Sequence, residues 1–336
     1  MKAMILAAGF GTRFRPATYT LPKPMVPLCG QPLIAWAVES LLAFGIRDFI
    51  VNLHHLPEPI ERFLPARFPD ARFAFSYEPE ILGTGGGVRK VRALLEGEDE
   101  FLLVNGDTVQ FPPYDALRAA RNEALAALTL RHSPQGDRFT PVYFDHGHIT
   151  GFGKGTGEAL MFSGTHLIAN RIFDYLPAKD FSGIVDEVYQ PLIDSSRETI
   201  AGVVDDGLWF DIGTPQRYMS ASRTLLDLMV RGQLPVARDT HVASDSLVQD
   251  TGRVSGTMAR SIIGERSVIE GTLTGTVVWN DCRIASGVVL ESCIVAHGVE
   301  IAGPLELRNV LICRDDDAIP REGEHRFEHG LVLRDI

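Results

Sequence analysis

Residues Leu6–Pro27 read L-A-A-G-F-G-T-R-F-R-P-A-T-Y-T-L-P-K-P-M-V-P. A short apolar run, Met4–Ala8, predicts a buried strand, after which the chain turns through Gly9 and Gly11. Glycines there permit unusual dihedrals and let backbone N–H groups approach an anion with no Cβ in the way. Arg13 can fork onto phosphate oxygens, and Lys23 adds a compact charge between two prolines that restrict the local backbone. Backbone donors, a fork and a point charge are the combination a polyphosphate needs. Two other phosphate motifs are absent: G-x-G-x-x-G would need glycine at Phe14, and G-K-[ST] occurs nowhere.

Outward from this loop, the first two-thirds of the chain alternate in the α/β manner. Apolar runs predict strands at Asp48–Leu53, Arg72–Tyr77 and Phe101–Val104, with helices over Leu33–Ala43 and Tyr114–Ala126. Parallel strands in that order put ligands at their carboxyl ends. Gly213-Thr214-Pro215 predicts a helix start, with Thr214 as N-cap and Pro215 at the first helical position, running to a stop near Gly232. From about Val236 the texture changes to β-branched residues among Gly, Ser, Thr and Asp. Apolar residues fall six apart: Ile263 and Ile269; Val278, Ile284 and Leu290; Val289, Val295 and Ile301. A six-residue period is a solenoid signature, in which each rung stacks its apolar residue on the next. The expected organisation is a domain over 1–232, a parallel β-helix over 236–315, and a charged tail over 316–336, with Asp315-Asp316-Asp317 a solvated turn where the two join.

The bulk numbers narrow the function. A formal charge of −11 over 336 residues argues against a nucleic-acid surface, though not against a local basic pocket. Five lysines stand among 32 basic residues, so Lys23 and Lys154 stand out in a chain that defaults to arginine. Cys29, Cys282, Cys293 and Cys313 show no zinc-ligand spacing and read as reduced core thiols. No run approaches the roughly 20 apolar residues of a membrane helix, and the start is not a signal peptide. The expectation is a soluble, cytoplasmic protein without nucleic-acid or membrane partners.

The opening string resembles the signature of the nucleotidyltransferases that activate sugar 1-phosphates: G-x-G-T-R, then P-x-T, then P-K-P-[ML]-[VL]-P. Here it reads Gly9-Phe10-Gly11-Thr12-Arg13, Pro16-Ala17-Thr18 and Pro22-Lys23-Pro24-Met25-Val26-Pro27. The resemblance continues to about residue 230. It implies a Rossmann-like nucleotidyltransferase domain with a mixed, mostly parallel sheet, followed by a small left-handed parallel β-helix. Leu82-Gly83-Thr84-Gly85-Gly86-Gly87 resembles the family's L-G-T-[AG]-G loop, which lies against base and sugar, and its glycines would admit a flat ring. Asn105-Gly106-Asp107 resembles the G-D motif, and Trp209-Phe210-Asp211-Ile212-Gly213-Thr214-Pro215 resembles W-x-D-I-G-T-P. By that resemblance Asp107 and Asp211 hold Mg²⁺, with a structural cap or salt bridge as the plain alternative for Asp211.

The nucleotide set implied is Ala8, Gly9, Gly11, Thr12, Gly83, Thr84 and Asn105, with Arg13 and Lys23 as the catalytic cations. On the sugar side are Lys154 and Gly164. Phe152-Gly153-Lys154-Gly155 stands in the place of F-x-E-K-P, with Gly153 for the usual glutamate and Gly155 for the proline. Asp186 and Glu187 both correspond to an acidic family position.

The implied reaction joins an NTP and a sugar 1-phosphate into an NDP-sugar and pyrophosphate. The G-T-G-G run with an attached β-helix leans toward GTP and mannose 1-phosphate. The form Phe162-Ser163-Gly164-Thr165 leans toward uridylyltransferases acting on N-acetylmuramate 1-phosphate. A regulatory pseudoenzyme would usually have lost Arg, Lys or Asp from the signature, and all are present. His297 among the repeats reads as a surface residue rather than an acyl-transfer base, and a homo-oligomer stacked through the β-helix is the expected assembly.

Overall fold

The computed structural model describes residues 1–134, 139–315, 323–327 and 330–336. It comprises two compact units, Met1–Phe10 with Ile34–Trp209, and Gly11–Leu33 with Phe210–Ile336. The second unit therefore takes in both the signature loop and the helix after Thr214, where a boundary near 232 drawn on composition would separate them from the repeats.

In the first unit, nine strands form one sheet. They are β1 (Lys2–Leu6), β2 (Asp48–Leu53), β3 (Arg72–Tyr77), β4 (Glu100–Asn105), β5 (Ala126–Arg131), β6 (Val142–Asp145), β7 (His148–Phe152), β8 (Glu158–Ala169) and β9 (Ile200–Val204), in the order β3-β2-β1-β4-β8-β5-β9-β7-β6. Their neighbours β3, β2, β1 and β4 are parallel, with Met4 opposite both Ile50 and Leu103. Strand β8 runs antiparallel between β4 and β5, and β7 and β6 are antiparallel at the edge. The sheet is thus mixed, with parallel pairing confined to β3–β2–β1–β4 and β5–β9. It is less parallel than the sequence suggested, because β6, β7 and β8 carry no uninterrupted apolar run that marks them as strands. Met4, Phe101, Leu103, Leu128 and Ile168 form a core with Val88, Val91, Ile172, Val188 and Tyr189.

The strand–helix alternation follows from local pattern. Helix α1 (Leu33–Ala43) and strands β2 and β3 occupy the expected ranges. Helices α2 (Glu58–Arg67) and α3 (Gly83–Lys90) follow β2 and β3. Helix α4 (Tyr114–Arg121) stops five residues short of the expectation, since Asn122 leaves helical geometry at φ 29°. Ala126–Leu130 are then buried in β5, so tertiary burial overrides the helix propensity of an alanine-rich run.

In the second unit, helix α5 (Pro215–Val230) starts as expected, with Thr214 Oγ1 accepting the Arg217 N–H at 3.3 Å. The repeats form three parallel ladders. In one, Val248, Ile263, Val278, Val295 and Ile312 stack; in another, Val254, Ile269, Ile284 and Ile301; in the third, Met258, Leu273, Leu290 and Leu307. Direct stacking thus recurs after 15 residues (263 to 278) and later after 17 (278 to 295). The six-residue spacing is instead the step from one ladder to the next within a coil, as from Val278 to Ile284. Val289 faces outward at 37% exposure, and Leu290 takes the inward place.

Corners repeat too: the amide of Ser261 donates to Ser246 Oγ, that of Thr276 to Ser261 Oγ, and that of Cys293 to Thr276 Oγ1. Cys282 stands in a parallel file above Ser267. All four cysteines are buried thiols that form no disulfide, as expected of the core.

The segment expected to be a charged tail is structured where described. Leu331–Asp335 pairs antiparallel with Val310–Arg314, and Glu324–Phe327 pairs with it in turn. Asp315 is ion-paired with Arg326 at 3.0 Å rather than solvated; Asp316 and Asp317 lie outside the described residues. Among the described residues no helix is long and apolar enough to cross a membrane.

Candidate active site

Three loops at the carboxyl ends of parallel strands meet in the first unit. After β1 come Ala8 and Gly9, after β3 come Gly83 and Thr84, and β4 ends at Asn105 with Asp107 just beyond. All six line one cleft of about 290 Å³, close to the lower limit of about 300 Å³ for ligand sites. Gly9 is open, since a Cβ built on it would meet nothing within 4 Å. A ligand's backbone contacts can be close there.

The other glycines have a different job. A Cβ on Gly83 or Gly85 would stand 2.6 or 2.7 Å from Ser182, and one on Gly86 would stand 2.2 Å from the carbonyl of Asp180. These glycines let α3 pack against the 180–183 segment, where Gly85 N–H donates to Ser182 O at 2.8 Å. The expectation that the run exists to admit a flat ring is corrected accordingly, although Gly83 and Thr84 do line the cleft. Thr84 Oγ1 meanwhile accepts the Ile184 N–H at 2.9 Å.

Four lining residues were not anticipated: Leu6, Asn52, Glu78 and Ile81. Asn52 Oδ1 accepts the Ala7 N–H at 2.8 Å, and its amide donates to Glu78 Oε1 at 2.7 Å. Glu78 Oε2 accepts the Leu82 N–H at 2.9 Å. This buried relay ties the loop after β1 to the loop after β3. Its sequence signal was a polar residue at the carboxyl end of an apolar run, at Asn52 and again at Glu78.

The expected sugar-side residues are divided. Gly164 lies in a bulge of β8 between Phe162 and His166, at φ 109°, pressed against Asn105. Ser163 Oγ donates to Thr129 O at 3.2 Å, and Ser163 O accepts from the indole of Trp209 at 2.7 Å, so the bulge is fastened on both sides. Lys154 is not among the residues lining the cleft; its ammonium is exposed and 3.8 Å from Asp194. The departures around it have a geometric cause. Gly153 sits at φ 73°, where glutamate would be strained, and a Cβ on Gly155 would stand 2.5 Å from Tyr143 Cβ. Glu187 is ion-paired with Lys179 and accepts the Gly183 N–H, which hold its carboxyl below its usual range. That occupies one of the two acidic candidates and leaves Asp186 as the other.

In the second unit the signature loop folds on itself. Gly11, at φ 61°, has room only for hydrogen, because a Cβ would stand 2.9 Å from Lys23 Cβ and 3.1 Å from Thr18 Cγ2. Lys23 is buried, while Thr12 and Arg13 are exposed on the short 3-10 turn Thr12–Phe14. The guanidinium of Arg13 lies over Gly213, where a Cβ would be 3.1 Å from its central carbon. Asp211 Oδ2 is ion-paired with Arg217. Asp107 stands in the turn after β4 and Asp211 closes the short strand Trp209–Asp211; each is a hard oxygen donor of the kind a divalent cation takes, and Arg217 would have to yield the oxygen it holds on Asp211. His297 is half-buried against Trp279, at 5.1 Å between ring centroids, with Nδ1 accepting the Asn280 N–H. It is not the surface residue expected.

Residues 2–227 match the family described as nucleotidyl transferase. The chain is 28% identical over 328 residues to the probable mannose-1-phosphate guanylyltransferase 3 of Oryza sativa subsp. japonica, covering 93% of this chain and 86% of that one. It is 31% identical over 258 residues to the UTP–glucose-1-phosphate uridylyltransferase of Synechocystis sp., covering 70% and 66%. The crystal structure of HddC from Yersinia pseudotuberculosis complexed with GMP-PN shares the fold, with a TM-score of 0.57 at 23% identity over 67% of this chain and 99% of that one. Members of the matched family generally use a divalent metal. With two-thirds of its length inside the match, the chain belongs to the nucleotidyl transferase family.

Proposed function

We propose that the protein joins a nucleoside triphosphate to a sugar 1-phosphate, forming an NDP-sugar and releasing pyrophosphate, with GTP and mannose 1-phosphate as its substrates. The observation that carries the reaction class is the cleft itself, where Ala8, Gly9, Gly83, Thr84, Asn105 and Asp107 converge from three parallel strands. The guanylyltransferase relative, matched over most of both chains, supports the choice of nucleotide and sugar.

A sugar-phosphate oxygen attacks the α-phosphorus while the β–γ pyrophosphate departs. The nucleophile is already an anion, so no general base is required, and the chain's work is to position two anions and offset their charge. Gly9, Gly11 and Thr12 hold the triphosphate, Arg13 and Lys23 hold the departing pyrophosphate, and Lys154 swings from Asp194 to the sugar phosphate. Gly164 shapes the sugar's side of the site, and Asn105, with Gly83 and Thr84, the nucleotide's. Asp107 and Asp211 are the residues that would hold Mg²⁺, which when bound supplies charge neutralisation to the phosphates. The domain division proposed with this function is a catalytic region over 1–232 and a β-helix over 236–315.

Lys23→Ala should lower kcat/KM at least about a hundredfold, a loss of ~2.7 kcal/mol of transition-state stabilisation. Pyrophosphate release at a near-normal rate from that variant would remove Lys23 from the assignment. The uridylyltransferase relative supports a second reading, with UTP and a hexose 1-phosphate. Faster release with that pair than with GTP and mannose 1-phosphate would decide for it.

A further inference from the structure

The signature loop belongs to the same compact unit as α5 and the β-helix. A short buried relay joins the three. Trp279, on the β-helix, donates its indole N–H to the phenol oxygen of Tyr218 in α5 at 3.0 Å. Tyr218 donates in turn to the carbonyl of Pro27, the last residue of P-K-P-M-V-P, at 2.6 Å. Trp279 is 2% exposed and Tyr218 is fully buried. Phe14, which follows Arg13, meets Tyr218 edge-on at 5.5 Å and stacks on Trp279 at 6.4 Å. The pair therefore grips the loop twice, beside Arg13 and four residues beyond Lys23. His297 backs the indole of Trp279.

Packing alone would be served by phenylalanine at either position. The polar atoms do something more specific: they fix the height and direction of the Pro27 carbonyl, and a buried partner left without its bond costs about 1–3 kcal/mol. We infer that Tyr218 and Trp279 are positioning residues for the triphosphate loop, through which the β-helix sets where Arg13 and Lys23 stand. This rests on the reading that the loop binds a triphosphate. A displacement of about 1 Å at such groups is enough to cost up to about a hundredfold in rate.

The test uses the full chain carrying Tyr218→Phe, Trp279→Phe or both. Amide hydrogen exchange over residues 11–27 should rise in each variant, while the sheet of the first unit keeps wild-type protection. KM for the NTP should rise roughly fivefold to twentyfold, with KM for the sugar phosphate unchanged. The double variant should be little worse than Tyr218→Phe, because the relay is already broken there. Unchanged exchange over 11–27 would overturn the inference. So would a uniform rise across the chain with both KM values intact, which is what a merely structural role gives. If the wild type releases no pyrophosphate with any NTP, the reaction assignment fails instead, and the exchange measurement still decides whether the relay holds the loop.

Discussion

A Cβ built on Gly164 would stand 2.9 Å from Asn105 Nδ2 and 3.3 Å from its Cγ, at a backbone φ of 109°. Gly164→Ala thus combines backbone strain with a push on a residue that lines the cleft. Gly45, at φ 96°, has nothing within 4 Å of its would-be Cβ, so Gly45→Ala carries the strain alone. Strain of this kind costs on the order of 1–3 kcal/mol, and both variants should lose that much in urea unfolding. Only Gly164→Ala should also lower kcat/KM, by about tenfold, which is ~1.4 kcal/mol. Equal kinetics in the two variants would show that the bulge does not shape the site. Residue type by itself was a poor guide at this scale. Of the scarce lysines, Lys2 donates to Leu94 O, Lys90 to Tyr77 O and Lys179 pairs with Glu187, so rarity marks structural positions as often as functional ones.

At the scale of elements, the hairpin made of Glu324–Phe327 and Leu331–Asp335 covers the last strand of the longest β-helix ladder. Leu331 and Leu333 belong to the β-helix core, so a chain ending at Asp315 would lose apolar burial and bare the Val310–Arg314 edge together. Uncovered edges pair with other chains. That truncation should elute by size exclusion as larger species than the full chain and unfold at a lower temperature; an unchanged profile would mean that the hairpin is dispensable. The sequence made plain those elements whose signal is local. Strands β2 and β3 and helix α1 are continuous apolar runs or a 3.6-residue stripe, and the Thr214-Pro215 start is a cap. The unit containing the signature loop was not legible, because Pro27, Tyr218 and Trp279 lie far apart in the chain and meet only by folding. Strand β8 was hidden because its bulge at Phe162–His166 breaks the two-residue alternation. The cleft was half legible: glycines and Asp107 carried motifs, whereas Asn52 and Glu78 showed only as polar residues ending apolar runs, and the hydrogen bonds by which they tie two loops join parts distant in the chain.

For the molecule as a whole, three histidines set the acid side of the stability curve. Burial lowers the pKa of His166 from 6.5 to about 3, so it stays neutral in the fold while the unfolded chain takes up a proton below 6.5. Its contribution is fully present above 6.5 and is lost as pH falls toward 3. His297 is lowered in the same direction, first by burial, so its contribution also fades on acidification. His132 runs the other way: Asp206 at 2.6 Å and Glu158 at 3.1 Å raise its pKa, giving stability present below 6.5 that is lost as pH rises through the higher folded value. That side chain is open to solvent and its pairs are screened, so the buried histidines win. Carboxylates held down in the fold, such as Asp281 beside Arg266, enter only near and below their ordinary 3.8. Between pH 6.5 and 5 His166 should therefore tilt stability by up to about 1.4 kcal/mol per pH unit, with His297 adding in the same direction. Urea midpoints across that window should fall with pH in the wild type, and His297→Gln should make the slope shallower. A flat wild-type profile, or an unaltered slope in the variant, would show that these imidazoles gain solvent or partners before the chain unfolds.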